Sequence, residues 1–91
     1  MAKVKIKMYA TIREKFKEGE VVLDADTVIE AIKKLVELHH ELKDEVLDEN
    51  LNLKNDYIYL LNGRNIEFLN KGDTPLKDGD KISIFPPVAG G

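Results

Sequence analysis

The chain contains no cysteine and no tryptophan. The first absence excludes disulfides, thiolate metal sites and a cysteine nucleophile. No apolar run approaches the roughly 18 residues that a membrane-spanning helix needs, so no membrane association is expected. The N-terminal MAKVKIKMYA alternates lysine with apolar residues. It lacks the basic end and apolar block of a secretory signal, which predicts a cytoplasmic protein. A strongly basic stripe is missing, and with it the main electrostatic sign of a nucleic-acid binder. There is no glycine-rich phosphate loop and no Ser-His-Asp constellation. The two histidines, His39 and His40, are adjacent. On a helix they point about 100° apart and make no i, i+4 metal pair. Asp78-Gly79-Asp80 has turn chemistry and too few oxygen ligands for calcium, so no metal site is expected.

What remains is a 91-residue chain, 43% hydrophobic and 34% charged. That is the profile of one small globular domain with a single core. The net charge of -3 is unevenly spread. Residues 1–23 carry six basic and three acidic side chains, residues 24–56 four and ten, and residues 57–91 four of each. The acidic middle reads as a solvated helix face, with orientation of a basic partner as the alternative.

Lys3 to Tyr9 alternates strictly and predicts a half-buried strand with Val4, Ile6 and Met8 inward. Residues 10–16 predict a short turn, with a helical turn as the alternative, broken by Gly19. Residues 20–23 predict a second strand. Asp26 or Thr27 offers a helix cap, and Glu30 follows Thr27 at capping-box spacing. Val28, Ile29, Ile32, Leu35 and Val36, with Leu38 as a further candidate, recur at helical intervals, which predicts one main helix over 27–39. Residues 43–55 predict a short helical turn and then a loop. Residues 57–61 predict a strand ended by the Asn62-Gly63 turn. Residues 66–69 predict a short strand or turn, and residues 81–85 a last alternating strand stopped by Pro86-Pro87. The order predicts an α+β, two-layer fold: a mixed sheet of four to five strands with a helix across one face. The domain is expected to span residues 1–85, with an extended tail over 86–91.

The tail, Pro86-Pro87-Val88-Ala89-Gly90-Gly91, is the most informative segment. Two prolines favour an extended backbone, and two glycines leave no side chain to obstruct a narrow channel. Fully extended, the six residues reach roughly 20 Å. The α-carboxylate of Gly91 is ionised at neutral pH and is a poor electrophile. It can attack the α-phosphate of ATP, however, to give an acyl adenylate that accepts sulfur or an amine. Pre-extension lowers the cost of ordering the tail inside a partner. The bland alternative is a disordered chain end.

The stretch from Leu76 to Gly91, LKDGDKISIFPPVAGG, resembles the C-terminus of the small subunit of molybdopterin synthase. Met8-Tyr9-Ala10-Thr11-Ile12-Arg13-Glu14 is similar to that family's first strand and turn, and Leu61-Asn62-Gly63 falls in the expected order. The resemblance implies a ubiquitin-like β-grasp fold. It implies that Gly91 is adenylated by a ubiquitin-activating-type enzyme, which uses the ATP, and becomes a thiocarboxylate. Gly90 would be its steric companion and residues 86–91 the segment inserted into the partner. The sulfur would then pass, in the large subunit of molybdopterin synthase, to a cyclic pterin precursor in molybdenum cofactor biosynthesis. The chain would bind no cofactor and would not be catalytic alone. A ubiquitin-like modifier joined to lysines through Gly91, or a sulfur carrier for thiamine or tRNA thiolation, would use the same terminus.

Strand parity suggests a docking face. With Ile58, Leu60, Ile82 and Ile84 inward, Tyr9, Tyr59, Leu61 and Phe85 would share the open side of the sheet as a partner interface. Alternatively, residues 43–56 fold over part of this patch and make it core.

Overall fold

The computed structural model describes residues 1–9, 19–54 and 57–86. The turn expected over 10–16 lies outside them. The described elements are β1 (Ala2–Met8), β2 (Glu20–Ala25), α1 (Val28–Leu38), α2 (Lys43–Val46), β3 (Ile58–Leu61), β4 (Arg64–Asn65) and β5 (Lys81–Phe85). Single 3-10 turns cover His40–Leu42, Ile66–Phe68 and Lys71–Asp73.

The sheet has five strands in the order β2-β1-β5-β3-β4. β1 and β5 run parallel at its centre, while β1–β2, β3–β5 and β3–β4 are antiparallel. The sheet is therefore mixed. Residues 66–69, expected as a strand or turn, form the turn: Ile66–Phe68 is a 3-10 turn, and the two-residue strand β4 precedes it. The Asn65 side chain accepts from the Glu67 N–H at 2.9 Å and caps that turn. Between β3 and β4, Asn62 and Gly63 both have positive φ, 52° and 87°. This is the combination a tight hairpin of right-twisted strands requires, and asparagine and glycine tolerate it best.

α1 begins where the sequence predicts. Thr27 is extended, and its hydroxyl accepts from the Glu30 N–H at 3.3 Å. The Glu30 carboxylate lies 3.4 Å from Lys34 Nζ, one turn on. The same ammonium donates to the Asp24 carbonyl at 2.6 Å, which ties α1 to β2. Two further bonds fix the start of the helix: Val28 N–H to the Thr74 carbonyl, and Leu76 N–H to the Asp26 carbonyl.

The core lies between α1 and one face of the sheet. Val4, Ile6, Met8, Ile82 and Ile84 come from the sheet, and Val28, Ile32 and Leu35 from α1. Each such side chain removed from water contributes about 1.5–3 kcal/mol. Leu42, Val46 and Leu47 extend this core. The acidic segment is thus pinned by its few apolar residues while Asp44 and Glu49 stay exposed and the half-buried Glu45 accepts from the Tyr57 hydroxyl at 2.6 Å.

Candidate functional site

The structure corrects the inward and outward assignment of β3. Tyr59 and Leu61 are buried, at 3% and 8% exposure, while Ile58 is 39% exposed. The register explains why. Tyr59 pairs with Ile84 and Leu61 with Ile82, whereas Ile58 pairs with Phe85 and Leu60 with Ser83. Cross-strand partners share a face, so Tyr59 and Leu61 follow the buried isoleucines. Tyr-Ile-Tyr-Leu-Leu has no polar residue to mark its outer side. A tyrosine is accommodated inside because its hydroxyl donates to the Val46 carbonyl at 3.1 Å. The segment that follows α1 therefore makes Tyr59 core from the helix side. Tyr59 and Leu61 are withdrawn from the open face; Ile58 and Leu60 replace them.

Tyr9 and Phe85 do come together. Their rings stack with centroids 4.4 Å apart and planes 11° from parallel. Offset stacking at this distance adds about 0.5–1.5 kcal/mol beyond burial. The Tyr9 N–H donates to the Ile84 carbonyl at 3.1 Å, continuing the β1–β5 ladder by one residue. Lys7 Nζ stands 5.3 Å from the Tyr9 ring centroid, within cation–π range. Tyr9, Phe85 and Pro86 are all half-buried. Ile58 adds an exposed aliphatic surface directly across from Phe85. Register, rather than composition, was the signal for Ile58 and Lys7.

This aromatic and aliphatic platform stands at the root of the tail, because β5 ends at Phe85 and Pro86 follows. The expected tail residues Pro87, Val88, Ala89, Gly90 and Gly91 lie outside the described residues. Among the described residues, no group of three or more His, Asp or Glu side chains is placed to hold a metal ion. No helix there is long and apolar enough to cross a membrane. The geometry thus offers an apolar surface that leads directly into the last residues of the chain.

Known proteins share this fold over nearly their whole length. Small archaeal modifier protein 3 of Haloferax volcanii is 31% identical, with 97% of this chain and 98% of that protein covered. The solution structure of small archaeal modifier protein 1 from Methanosarcina acetivorans is 37% identical. It superposes with a TM-score of 0.90, covering 100% of this chain and 98% of that one. A Pyrococcus furiosus structure assigned as molybdopterin converting factor, subunit 1, is 30% identical with a TM-score of 0.76, covering 97% and 100%. These likenesses make the five-stranded sheet with its crossing helix a ubiquitin-like β-grasp. The model of the ThiS family matches residues 6–91, and the chain belongs to that family of small ubiquitin-like proteins.

Proposed function

We propose that this protein is a sulfur carrier whose reactive group is the Gly91 carboxylate, and that its sulfur is destined for molybdopterin. The observation that supports this reading is the continuity of β5 with Pro86-Pro87-Val88-Ala89-Gly90-Gly91, rooted beside the Tyr9–Phe85 stack. The Phe-Pro-Pro-Val-Ala-Gly-Gly string and the likeness to a molybdopterin converting factor subunit favour this branch of the family.

In the proposed sequence, an oxygen of the Gly91 carboxylate attacks the α-phosphorus of ATP in a ubiquitin-activating-type enzyme. The bond to the β-phosphate breaks and pyrophosphate leaves. A sulfur nucleophile at the sulfide level then attacks the acyl carbon, AMP departs, and a thiocarboxylate remains. The large subunit of molybdopterin synthase receives the tail and passes the sulfur to its pterin precursor. ATP is held by the partner. In the proposed role, Gly90 and Gly91 offer no side chain to obstruct a narrow channel in the partner, and the two prolines favour an extended backbone on entry. Tyr9, Phe85, Ile58 and Leu60 form the docking face that brings it to each partner in turn.

A second reading is favoured by the modifier names of two relatives. The same acyl adenylate, attacked by a lysine amine instead of sulfur, gives an isopeptide bond and AMP. Intact-mass measurement tests both. The protein is incubated with its adenylating enzyme, ATP and a sulfur donor, beside a chain lacking Gly91. A gain equal to sulfur replacing one oxygen, absent from the control, is the expected result. A ladder of lysine-linked conjugates without that gain would transfer the conclusion to the modifier reading. An unchanged mass with an active enzyme would refute both.

A further inference from the structure

Six asparagines stand in the chain, followed in turn by Leu, Leu, Asp, Gly, Ile and Lys. Only Asn62 precedes a glycine. An Asn-Gly bond is chemically labile, because glycine has no side chain to keep its nitrogen from the asparagine amide carbon. The turn between β3 and β4 does nothing to shield it. Asn62 and Gly63 are both exposed. Among the described residues, no atom lies within 4 Å of where a Gly63 side chain would start.

What restrains the pair is a clamp on the Asn62 side chain. Its Nδ2 donates to Asp80 Oδ1 at 2.9 Å, and its Oδ1 accepts from the Lys81 N–H at 2.9 Å. The partners fix the orientation of the amide, since a carboxylate only accepts and a backbone N–H only donates. A third bond, from the Asn62 N–H to the Lys81 carbonyl at 2.8 Å, holds the backbone beside it. Asp80 is positioned in turn: it is half-buried, and its Oδ2 accepts from the Lys77 N–H at 2.8 Å. Both heteroatoms of the amide are thus engaged. Its plane turns toward the Gly63 nitrogen only by breaking a charge-assisted hydrogen bond.

We propose that Asn62 is a site of spontaneous deamidation, and that the Asp80–Lys81 clamp sets its rate. When the clamp opens, the Gly63 nitrogen attacks Asn62 Cγ. The N–Cγ bond forms, the Cγ–Nδ2 bond breaks, and ammonia leaves with the amide proton, closing a succinimide. Water then opens the ring. Cleavage of N–Cγ leaves an ordinary aspartate at position 62. Cleavage at the main-chain carbonyl leaves isoaspartate, which adds one carbon to the turn that pairs Leu61 with Arg64. The aspartate product sets a carboxylate against Asp80 where a donor stood, and the two repel. The damage falls at the head of β5, the strand that leads into the tail. Asp78-Gly79 has the same glycine, but an ionised carboxylate is a poor electrophile and loses no ammonia.

The test incubates the full chain at mildly alkaline pH and follows exchange of ammonia for water at Asn62 by peptide mass mapping. Asp80→Ala removes the acceptor and should deamidate about tenfold faster than wild type, the factor that a hydrogen bond to a charged group supplies. Thr27→Ala weakens the cap of α1 and leaves the clamp intact; its rate should stay within about twofold of wild type, because local opening exposes the site. Equal acceleration by both variants would overturn the proposal, since global unfolding alone would explain it. Wild type reacting as fast as a free peptide of residues 60–65 would overturn it as well. A charge exchange tests the clamp without deleting it. Asn62→Asp should melt below wild type, and adding Asp80→Asn should recover most of the loss, because donor and acceptor change sides. A double variant that melts no higher than Asn62→Asp would refute the clamp.

Discussion

Replacing Tyr59 by phenylalanine removes one oxygen from the interior and tests the facing of β3 directly. The hydroxyl donates to the Val46 carbonyl at 3.1 Å, and the ring side chain is only 3% exposed. That carbonyl also accepts from the Lys54 N–H at 3.0 Å. Loss of the hydroxyl therefore leaves the acceptor partly satisfied. The cost should be that of one ordinary hydrogen bond, about 0.5–1.5 kcal/mol, and not the larger penalty of an orphaned buried group. For a domain of this size, about 1 kcal/mol lowers the melting temperature by about 4–8 °C. With a urea dependence of about 1 kcal/mol per molar, it moves the midpoint by about 1 M. The neighbouring Ile58→Thr change removes aliphatic surface that is already 39% exposed. It keeps a β-branched strand former and should cost less than about 1 kcal/mol. Urea titration followed by circular dichroism measures both. A neutral Tyr59→Phe beside a strongly destabilising Ile58→Thr would refute the register and restore the opposite facing.

Two more outcomes follow from the helix layer. Leu35→Ala empties a fully buried site against the sheet and should cost about 2–5 kcal/mol by urea titration. Thr27→Ala removes the acceptor for the Glu30 N–H. It should cost about 0.5–2 kcal/mol, with earlier hydrogen exchange at the first amides of α1.

Much of the fold was legible from local pattern. Strict alternation located β1 and β5, and their inward residues were assigned correctly because lysine and serine mark the other side. Thr27 and the periodic apolar residues fixed α1, since a cap and a 3.6-residue stripe are both local signals. Asn62-Gly63 announced its turn because few other residues tolerate two consecutive positive φ values. The acidic segment was less legible. Val46 and Leu47 looked like scattered anchors, and only tertiary packing joins them to the core, with the Val46 carbonyl taking the Tyr59 hydroxyl.

The sequence alone supplied the candidate reactive group, because Pro-Pro-Val-Ala-Gly-Gly directly after an alternating strand is a property of order along the chain. The parity of β1 and β5 also suggested that Tyr9 and Phe85 share the open side of the sheet, where the two half-buried rings stack. Tertiary structure decided what joins them. The run of five apolar or amphipathic residues over 57–61, which contains β3, suits either face, and a one-residue choice of register turns every side chain over. The choice was settled by pairing with Ile82 and Ile84 and by an acceptor for the Tyr59 hydroxyl. The same parallel pairing set Lys5 against Lys81, a neighbour relation between residues far apart in the chain that no local spacing contains.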